Sequence, residues 1–237
     1  MEGGGKRMAK ASKKPGITAC IITAREEPFA ELTLSSVFPV VDDIVVVGDP
    51  CKDLRRVLRD YNARLFWRDW DGLYGKARNK ALKEVWTDRA FTIDMDEFLE
   101  KGDAFRSMGK DVYDVRMRHF IWSLAWEDAS LPEHWGLRRF FKVEGSFYDR
   151  DFHEFTCNEN WKTIGREEYP VIWHLGYLKG LDKVREKYVM NVTRPDKHFN
   201  KEFMDQWVRS HVLGLYPVKP VNPDEIPREI REWFYCL

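Results

Sequence analysis

The stretch FTIDMDEFLE, residues 91–100, is an apolar run that ends in two aspartates placed one residue apart. Asp94 and Asp96 are followed closely by further acids at Glu97 and Glu100. Like charges repel, so such a cluster needs either a solvated turn or a cation that neutralises it. Because alternate residues of an extended segment point to the same side, Asp94 and Asp96 are able to act on one ligand.

Before this stretch, apolar strands alternate with helices. Strands are predicted at residues 17–23, 42–50, 63–67 and 89–94, and helices from about residue 29, at 51–61 and within 72–86. Nearly continuous apolar strands separated by helices are typical of a parallel sheet that is covered on both faces. Ligands of such sheets bind at the carboxyl ends of the strands, where Glu26, Asp49 and Asp94 lie.

The second half of the chain has a different pattern. Strands are predicted at residues 111–122, 137–143 and 170–175, and an amphipathic helix at 178–192. The end of the chain carries an apolar stripe at helical spacing, formed by Ile226, Ile230, Trp233, Phe234 and Leu237. Acids in the same segment favour docking of this stripe onto the body over membrane contact. Aromatic faces stack on sugars, so four tryptophans are candidates for the lining of a sugar-binding cleft, namely Trp122, Trp126, Trp135 and Trp161. Packing in the hydrophobic core is the more common role of such residues.

The composition is that of a soluble domain with a sizeable core. The 237 residues are 43% hydrophobic and 33% charged, with a formal net charge of zero. Residues 1–16 hold five basic residues and one acid, which leaves the rest of the chain slightly acidic and without the footprint of a nucleic-acid binder. We therefore expect no nucleic-acid partner, and a disordered basic tail at residues 1–15 that offers a site for peripheral membrane contact.

The cysteines and the hydropathy indicate a cytoplasmic location. Cys20, Cys51, Cys157 and Cys236 are far apart and form no CxxC pair, which is typical of reduced thiols rather than of a disulfide framework or a zinc site. No stretch has the ~20 apolar residues of a membrane-spanning helix. Any membrane association is therefore expected to come from the basic tail.

Four motifs occur in the order in which family-2 glycosyltransferases with a GT-A fold carry theirs. They are ITACIITAREE, DDIVVVGDPCKD, GKARNKAL and TIDMDEFL, and the chain resembles this family over about residues 17–100. DRDFHEF (149–155) is similar to the HE motif of some bacterial members, and VIWHLGYLKGLDKVREKY (171–188) is similar to another of their segments. Gly48 and Cys51 depart from the pattern, which leaves the details of base recognition open.

The resemblance implies an α/β fold of the GT-A type, with a mostly parallel central sheet flanked by helices. It implies a single domain at residues 16–237. Within that domain, residues 16–100 would bind the nucleotide sugar, residues 101–215 would bind the acceptor and hold the catalytic base, and residues 216–237 would form a C-terminal extension.

The resemblance also implies roles for individual residues. Asp94 and Asp96 would hold Mn²⁺ or Mg²⁺ together with the donor diphosphate, and His174 would be a third metal ligand. Glu154 would be the general base, with Asp128, Asp149 and Asp151 as competitors. The nucleotide sugar would be bound by Thr23, Glu26, Asp49, Arg78, Asn79 and Asp94.

These roles predict an inverting, metal-dependent glycosyltransferase of the hexosyltransferase type. Its donor would be a nucleotide sugar, with a UDP-sugar preferred, and its acceptor a hydroxyl of a glycan, a lipid or a protein. The alternatives are a nucleotidyltransferase, a non-catalytic module that binds sugars or nucleotides, and an interaction protein that uses the basic tail. A nucleotidyltransferase ranks lower because TAREEPFAE (23–31) lacks a phosphate loop rich in glycine and lysine.

The candidate residues also have purely structural alternatives. Glu26 and Asp49 could cap helices, and Arg78 and Asn79 could form a salt bridge and a cap. His174 could be a core histidine whose ring nitrogens are satisfied by hydrogen bonds.

Overall fold

The computed structural model describes residues 13–23, 26–132, 135–149, 156–180, 182, 185–186, 189 and 201–235. The strands are β1 Lys14–Thr23, β2 Asp43–Gly48, β3 Arg64–Trp67, β4 Thr87–Thr92, β5 Glu97–Glu100, β6 Val112–Ile121, β7 Ser123–Asp128, β8 Gly136–Lys142, β9 Phe147–Tyr148, β10 Thr156–Cys157, β11 Ile164–His174 and β12 Val218–Pro220. The α-helices are α1 Ala30–Val37, α2 Lys52–Asp60, α3 Tyr74–Glu84, α4 Lys201–Val212 and α5 Arg228–Tyr235. Short 3₁₀ turns lie at Gly102–Ser107, Gly176–Leu178 and Pro223–Glu225.

The first half forms a parallel layer. Strands β3, β2, β1 and β4 lie side by side in that order, and each neighbouring pair is parallel. The layer then continues into β8 and β6, which pair antiparallel, and β6 pairs in parallel with β11. The predicted α/β class, with a central parallel sheet and flanking helices, is confirmed.

Helices cover both faces of the parallel layer, as its nearly continuous apolar strands require. Alternate residues of β1 point to opposite faces, so Ala19 and Ile21 join one core cluster and Cys20 and Ile22 join another. Helices α1 and α2 pack on the first cluster, and α3 packs on the second. This arrangement leaves the carboxyl ends of the strands as the open edge of the layer.

The second half extends the sheet with strands that come back to the first half from far along the chain. Strand β11 pairs antiparallel with the short strand β5, which directly follows the acidic stretch of the sequence. Strands β7 and β12 add an antiparallel edge beside β6. The segment after β4 is therefore held between the parallel layer and β11.

A third core cluster joins the C-terminal helix to the body. Ile230 is fully buried, and Phe234 lies 5.6 Å from the ring centre of Phe29. Ile226 and Trp233 join the same cluster, so the predicted docking of this apolar stripe is confirmed for its described members. No helix among the described residues combines the length and the apolar character that crossing a bilayer requires.

The element boundaries differ from the predicted ones mainly at the ends. Strand β1 begins at Lys14, so Lys14, Pro15 and Gly16 extend the strand predicted at residues 17–23, and the first two belong to the sheet rather than to the predicted tail. Strand β4 ends at Thr92, two residues before Asp94. The helix predicted at residues 178–192 lies mostly outside the described residues.

Candidate functional site

The strand order creates a topological switch point at the edge of the parallel layer, and we call this place the crevice. From β1 the chain moves to β2 and β3 on one side, whereas β4 lies on the other side of β1. A ligand crevice forms at such a switch point, outside the carboxyl ends of the strands. Residues 93–96, which follow β4 and which we call the charged turn, and the segment after β1 both lie at this point.

The carboxylate of Asp94 lies between two guanidinium groups. Arg78 Nη2 on α3 is 2.7 Å from Asp94 Oδ1, and Arg139 Nη2 on β8 is 3.5 Å from Oδ2. Arg139 also donates to Glu97 Oε1 at 2.9 Å, and the backbone N–H of Asp94 donates to Glu97 Oε2 at 2.8 Å. The side chain of Asp94 is 31% exposed, whereas those of Arg78, Arg139 and Glu97 are buried. Asp94 therefore faces the crevice with two fixed cations behind it.

Burial and these cations act in opposite directions on the two acids. Burial raises the pKa of Glu97 to about 8, against the lowering effect of Arg139. Burial would also raise the pKa of Asp94, but Arg78 and Arg139 outweigh it and hold the pKa well below its usual range. Asp94 is therefore an anion at neutral pH, while Glu97 titrates near it.

A lysine bridges two carboxylates on the other side of the charged turn. Lys179 Nζ lies 2.9 Å from Asp96 Oδ2 and donates to Glu27 Oε2 at 2.8 Å. The side chains of Glu27, Lys179 and Asp96 are 14%, 15% and 20% exposed. Burial raises the pKa of Glu27, against the lowering effect of Lys179. Burial would lower the pKa of Lys179, but Asp96 and Glu27 outweigh it and raise the pKa, so the ammonium stays charged.

The backbone fastens the lysine to the charged turn. The N–H of Leu175, just after β11, donates to the carbonyl oxygen of Asp96 at 2.8 Å. Gly176 then opens the 3₁₀ turn that leads to Lys179. A β-carbon at Gly176 would lie 2.7 Å from Asp96 Oδ2 and from two atoms of the His174 ring, so a larger residue would displace one of these side chains.

Two histidines lie beside the charged turn. His174 ends β11, and its Nε2 is 4.0 Å from Asp96 Oδ2. Burial would raise the pKa of Asp96, but His174 and Lys179 outweigh it and lower the pKa. His119 on β6 lies directly across from His174, and the two Nδ1 atoms are 3.2 Å apart. A hydrogen bond at this distance requires one ring to donate and the other to accept.

A divalent cation is implied by the family resemblance, with Asp94, Asp96 and His174 as its ligands. No group of three or more His, Cys, Asp or Glu side chains is arranged to hold a metal ion in the described part of the chain. Asp94 is engaged by two guanidinium groups, and Asp96 is engaged by the ammonium of Lys179. As arranged, these residues do not fit a divalent cation, because protein cations occupy the positions next to the carboxylates.

Three other predicted site residues lie around the crevice. Thr23 is the buried last residue of β1 and pairs with Gly48, where a β-carbon would collide with the backbone oxygen of Thr23. Asp49, half-buried, directly follows β2. Asn79 donates to the carbonyl of Tyr148 at 2.9 Å and accepts from its N–H at 2.8 Å, which fastens β9 to α3.

The sequence did not indicate several residues of the site, namely Glu27, Glu97, His119, Arg139 and Lys179. Glu26, which was predicted, is exposed, and its neighbour Glu27 makes the contact with Lys179. The doublet of glutamates after β1 and the lysine five residues after His174 are signals that were present. Arg139 and His119 carry no local signal, because strand pairing brings them to the site.

The predicted general base, Glu154, and its competitor Asp151 lie outside the described residues. Asp149 is exposed just after β9. Asp128 is buried at the end of β7 and accepts a hydrogen bond from the hydroxyl of Tyr216 at 3.0 Å. The identity of the base therefore stays a prediction.

A line of rings, which we call the aromatic row, leads away from His174. It consists of Tyr177, Trp207, His211 and Tyr216. The ring centres of His174 and Tyr177 are 5.1 Å apart, and that of Tyr177 is 6.0 Å from Trp207. The row continues through His211, 4.3 Å from Trp207 and 4.1 Å from Tyr216. The row thus connects the charged turn with the end of β7.

The tryptophans suggested by the sequence as a cleft lining have different surroundings. Trp135 packs against His119, with ring centres 5.2 Å apart, and so borders the site. Trp161 packs on Phe141 in a core cluster, at 5.7 Å. Trp126 is exposed on the edge strand β7. Of these three residues, only Trp135 is placed to contact a ligand in the crevice.

No protein-family model matches the chain, and no curated protein sequence matches it. Several solved structures are similar to the chain at low identity. The chain is 14% identical to residues 1–349 of TarS from S. aureus, with a TM-score of 0.47 over 83% of this chain and 70% of that one. It spans 43% of a longer TarS structure.

Two further solved structures are similar in the same way. The mannosyltransferase PcManGT from Pyrobaculum calidifontis, in complex with GDP-Man and Mn²⁺, is 11% identical, with a TM-score of 0.48 over 89% of this chain and 76% of that one. Glucosyl-3-phosphoglycerate synthase from Mycobacterium tuberculosis, in complex with Mg²⁺ and UDP, is 17% identical, with a TM-score of 0.34 over 45% of this chain and 44% of that one. At this level of similarity, function has to be argued from the residues of this chain.

Proposed function

We propose that the protein is a glycosyltransferase that moves a sugar from a nucleoside diphosphate sugar to an acceptor hydroxyl with inversion at C1. The observation that carries this proposal is the set of cations at the crevice. Arg78, Arg139 and Lys179 converge on the charged turn at the carboxyl edge of a parallel layer. Such an edge is where α/β sheets bind nucleotides, and clustered cations suit a diphosphate.

The donor would lie along the carboxyl ends of β1, β2 and β4. Carboxylates only accept hydrogen bonds, so Glu26 and Asp49 suit ribose hydroxyls or a base N–H, with Thr23 beneath them. Asp94, which is partly exposed and ionised, would hold the two guanidinium groups in place beside the diphosphate site. A UDP-sugar is the donor that the family resemblance favours.

The transfer would be a single displacement. The bond between C1 of the sugar and the diphosphate oxygen breaks, and its electron pair stays on the leaving diphosphate. The acceptor oxygen forms a new bond to C1 from the opposite face, and its proton passes to a carboxylate base, for which Glu154 is the sequence candidate. Cations held in place before the reaction lower the energy of the developing charge on the leaving group.

The acceptor would bind on the side of His174 and the aromatic row. Tyr177 lies next to His174 and Trp207 is the next ring along the row, and rings of this kind stack on the apolar face of a sugar. A glycan is therefore the acceptor class that this region suits best among the glycan, lipid and protein acceptors that the sequence allows.

Dependence of the transfer on Mn²⁺ or Mg²⁺ stays a prediction from the sequence. The displacement proposed here uses the cations of the chain itself, because the carboxylates of the site are already paired with them. No step of this displacement is assigned to a metal ion.

The experiment that tests this function is a thermal-shift screen followed by a transfer assay. UDP, GDP and their common sugars are added to the full chain, once with EDTA and once with Mn²⁺. A ligand at about 100 times its Kd stabilises the native state by about 2.7 kcal/mol, which for a chain of this size raises Tm by roughly 5–10 °C. The nucleotide sugar that stabilises the protein is then assayed for transfer to a panel of glycan acceptors.

The variant Asp96→Ala tests whether the crevice is the site of transfer. We expect it to lose transfer while it keeps its circular dichroism spectrum, and the matched variant Asp103→Ala, at an exposed position away from the crevice, to keep it. Full transfer by Asp96→Ala would refute the site. Binding of a nucleotide sugar without turnover over the whole panel would instead identify a non-catalytic binding module.

A further inference from the structure

We infer that the ammonium of Lys179 takes the place of a divalent cation opposite the donor diphosphate, so that transfer is independent of metal. The inference rests on the proposed function and concerns the same crevice. It departs from the sequence prediction of a metal held by Asp94, Asp96 and His174.

The ammonium of Lys179 lies between two acids that belong to different segments of the chain. Its Nζ lies between Asp96 Oδ2 and Glu27 Oε2, at 2.9 and 2.8 Å, and these acids come from the segments after β4 and β1. A metal ion that joined the two edges of the crevice through Asp96 and Glu27 would occupy the same place as the ammonium. The ammonium therefore fills the place between them with a charge that cannot diffuse away.

The donor capacity of the ammonium is the second step. A lysine ammonium has three N–H donors, and the two carboxylates use two of them. One donor remains for an oxygen of a phosphate group, and a lysine binds phosphate as a point charge in this way. With its side chain 15% exposed, the ammonium is shielded from bulk water and still reachable from the crevice.

The attachment of Lys179 is the third step. The backbone hydrogen bond from the N–H of Leu175 to the carbonyl of Asp96 sets the distance between β11 and the charged turn. Gly176 lets the chain pass close to Asp96 and His174. The turn that carries the lysine is therefore fastened to the backbone of Asp96 by a hydrogen bond. A charge held in this way costs little reorganisation when the leaving group develops its own charge.

The variant Lys179→Ala should differ from the wild type in its binding of metal ions. Removal of the ammonium leaves Glu27 and Asp96 facing each other, with His174 beside them and no cation between them. Oxygen and imidazole ligands of this kind suit Mn²⁺. The variant should therefore gain a Mn²⁺ site that the wild type lacks.

The first measurement is a titration of free Mn²⁺ by electron paramagnetic resonance, with no nucleotide present. We expect stoichiometric binding by Lys179→Ala and none by the wild type or by Lys142→Ala. Lys142 is a matched control, because it is also ion-paired, to Asp111, and lies on β8 away from the crevice. Binding of one Mn²⁺ by the wild type, with loss of that binding in Asp96→Ala, would overturn the inference.

The second measurement compares the affinities for UDP, GDP and inorganic pyrophosphate in EDTA. One charge-assisted hydrogen bond corresponds to about a 10- to 100-fold change in Kd, so Lys179→Ala should weaken binding by this factor in EDTA and recover part of it in Mn²⁺. The variant Lys179→Arg, which keeps the charge, should lose less, and the wild type should bind equally well with and without Mn²⁺.

The two measurements separate this inference from the proposed function. If the wild type binds these ligands only when Mn²⁺ is present, the inference fails and the glycosyltransferase proposal stands. If none of them binds under either condition, the proposed function fails. In that case the Mn²⁺ titration still decides whether Lys179 occupies the position of a cation.

Discussion

The charged turn and the aromatic row both neighbour His174, and they are held mainly by different kinds of contact. In the charged turn each acid is fixed by named polar partners, as Asp94 is by Arg78 and Arg139. In the aromatic row the contacts are ring against ring, with centres 4.1 to 6.0 Å apart. Ion pairs depend on the exact partner, whereas ring packing tolerates some change.

This difference indicates which ligand each region is suited to. A diphosphate carries fixed charge at fixed spacing and rewards a rigid set of cations. A sugar acceptor presents an apolar face together with hydroxyls, and ring faces adapt to it. We therefore expect substitutions in the charged turn to change the rate of transfer strongly, and substitutions in the aromatic row to change mainly the KM for the acceptor.

The largest effect is expected for Asp94→Asn. The amide keeps the shape but removes the charge that holds Arg78 and Arg139, so both guanidinium groups lose an ion pair that fixes them at the proposed diphosphate site. Loss of such fixed electrostatic support costs about 10²- to 10³-fold in kcat. Steady-state transfer with saturating donor measures this effect.

The control for this variant is Asp103→Asn, at an exposed position in the 3₁₀ turn after β5. It should keep the kcat of the wild type. A kcat for Asp94→Asn within twofold of the wild type would show that the charged turn is not part of the transfer site. The functional difference expected between the charged turn and the aromatic row would then be wrong.

The position of the charged turn after β4 could be predicted because its signals are local. The apolar runs of β1, β2 and β4 and the acids that follow them can be recognised within windows of about ten residues. The order of these strands and their parallel pairing follow from the alternation with helices. The ion pair between Arg78 and Asp94 is the salt bridge that the structural alternative for Arg78 describes, and the binding of a nucleotide sugar by these residues stays a prediction.

The partners of the charged turn could not be predicted, because they arrive by long-range pairing. Arg139 comes on β8 and Lys179 after β11, and the position of each depends on strand register. His119 lies opposite His174 only in the register that the β6–β11 pair adopts. The segment Glu97–Glu100 is rich in acids, so nothing in its pattern predicts the buried strand β5.

The next largest effect is expected for Gly176→Ala. The added methyl group would lie 2.7 Å from Asp96 Oδ2 and from the His174 ring, so one of these groups has to move. A displacement of this kind in a positioned site costs about 10²-fold in kcat/KM. The matched control is Gly109→Ala, because nothing lies near a β-carbon at that position. Equal activity of the two alanine variants would mean that the spacing between Asp96 and His174 is not critical.

A smaller effect, confined to the acceptor, is expected for Trp207→Ala. An aromatic contact contributes about 0.5–1.5 kcal/mol, so the KM for the acceptor should rise by about three- to tenfold. The Kd for the donor nucleotide should stay unchanged, because Trp207 is not in contact with the charged turn. Trp86→Ala, at an exposed position next to the start of β4, is the control. If Trp207→Ala changed the Kd for the donor and left the KM for the acceptor unchanged, the assignment of donor binding to the charged turn and acceptor binding to the aromatic row would be wrong.

The smallest effect on transfer is expected for Asp111→Asn, which tests an ion pair outside both regions. Asp111 accepts hydrogen bonds from Lys142 and from the backbone at Lys162 and Thr163, and so joins the start of β6 to the segment before β11. The hydrogen bond from Lys142, together with those from the backbone, lowers the pKa of Asp111 below its ordinary value. A lowered pKa stabilises the folded state above the unfolded value of about 3.9, and this contribution is lost as the pH falls through the folded value.

The asparagine variant should therefore have a lower Tm than the wild type at pH 7, and the difference should shrink progressively as the pH falls below about 4. Lys142→Ala should lower Tm less, because the backbone donors to Asp111 remain. Transfer by both variants should match the wild type, because His119 and His174 lie at the far ends of the two strands that Asp111 joins. A Tm difference that persists unchanged into acid would mean that Asp111 acts through its shape, since a charge effect has to disappear when the carboxylate is protonated.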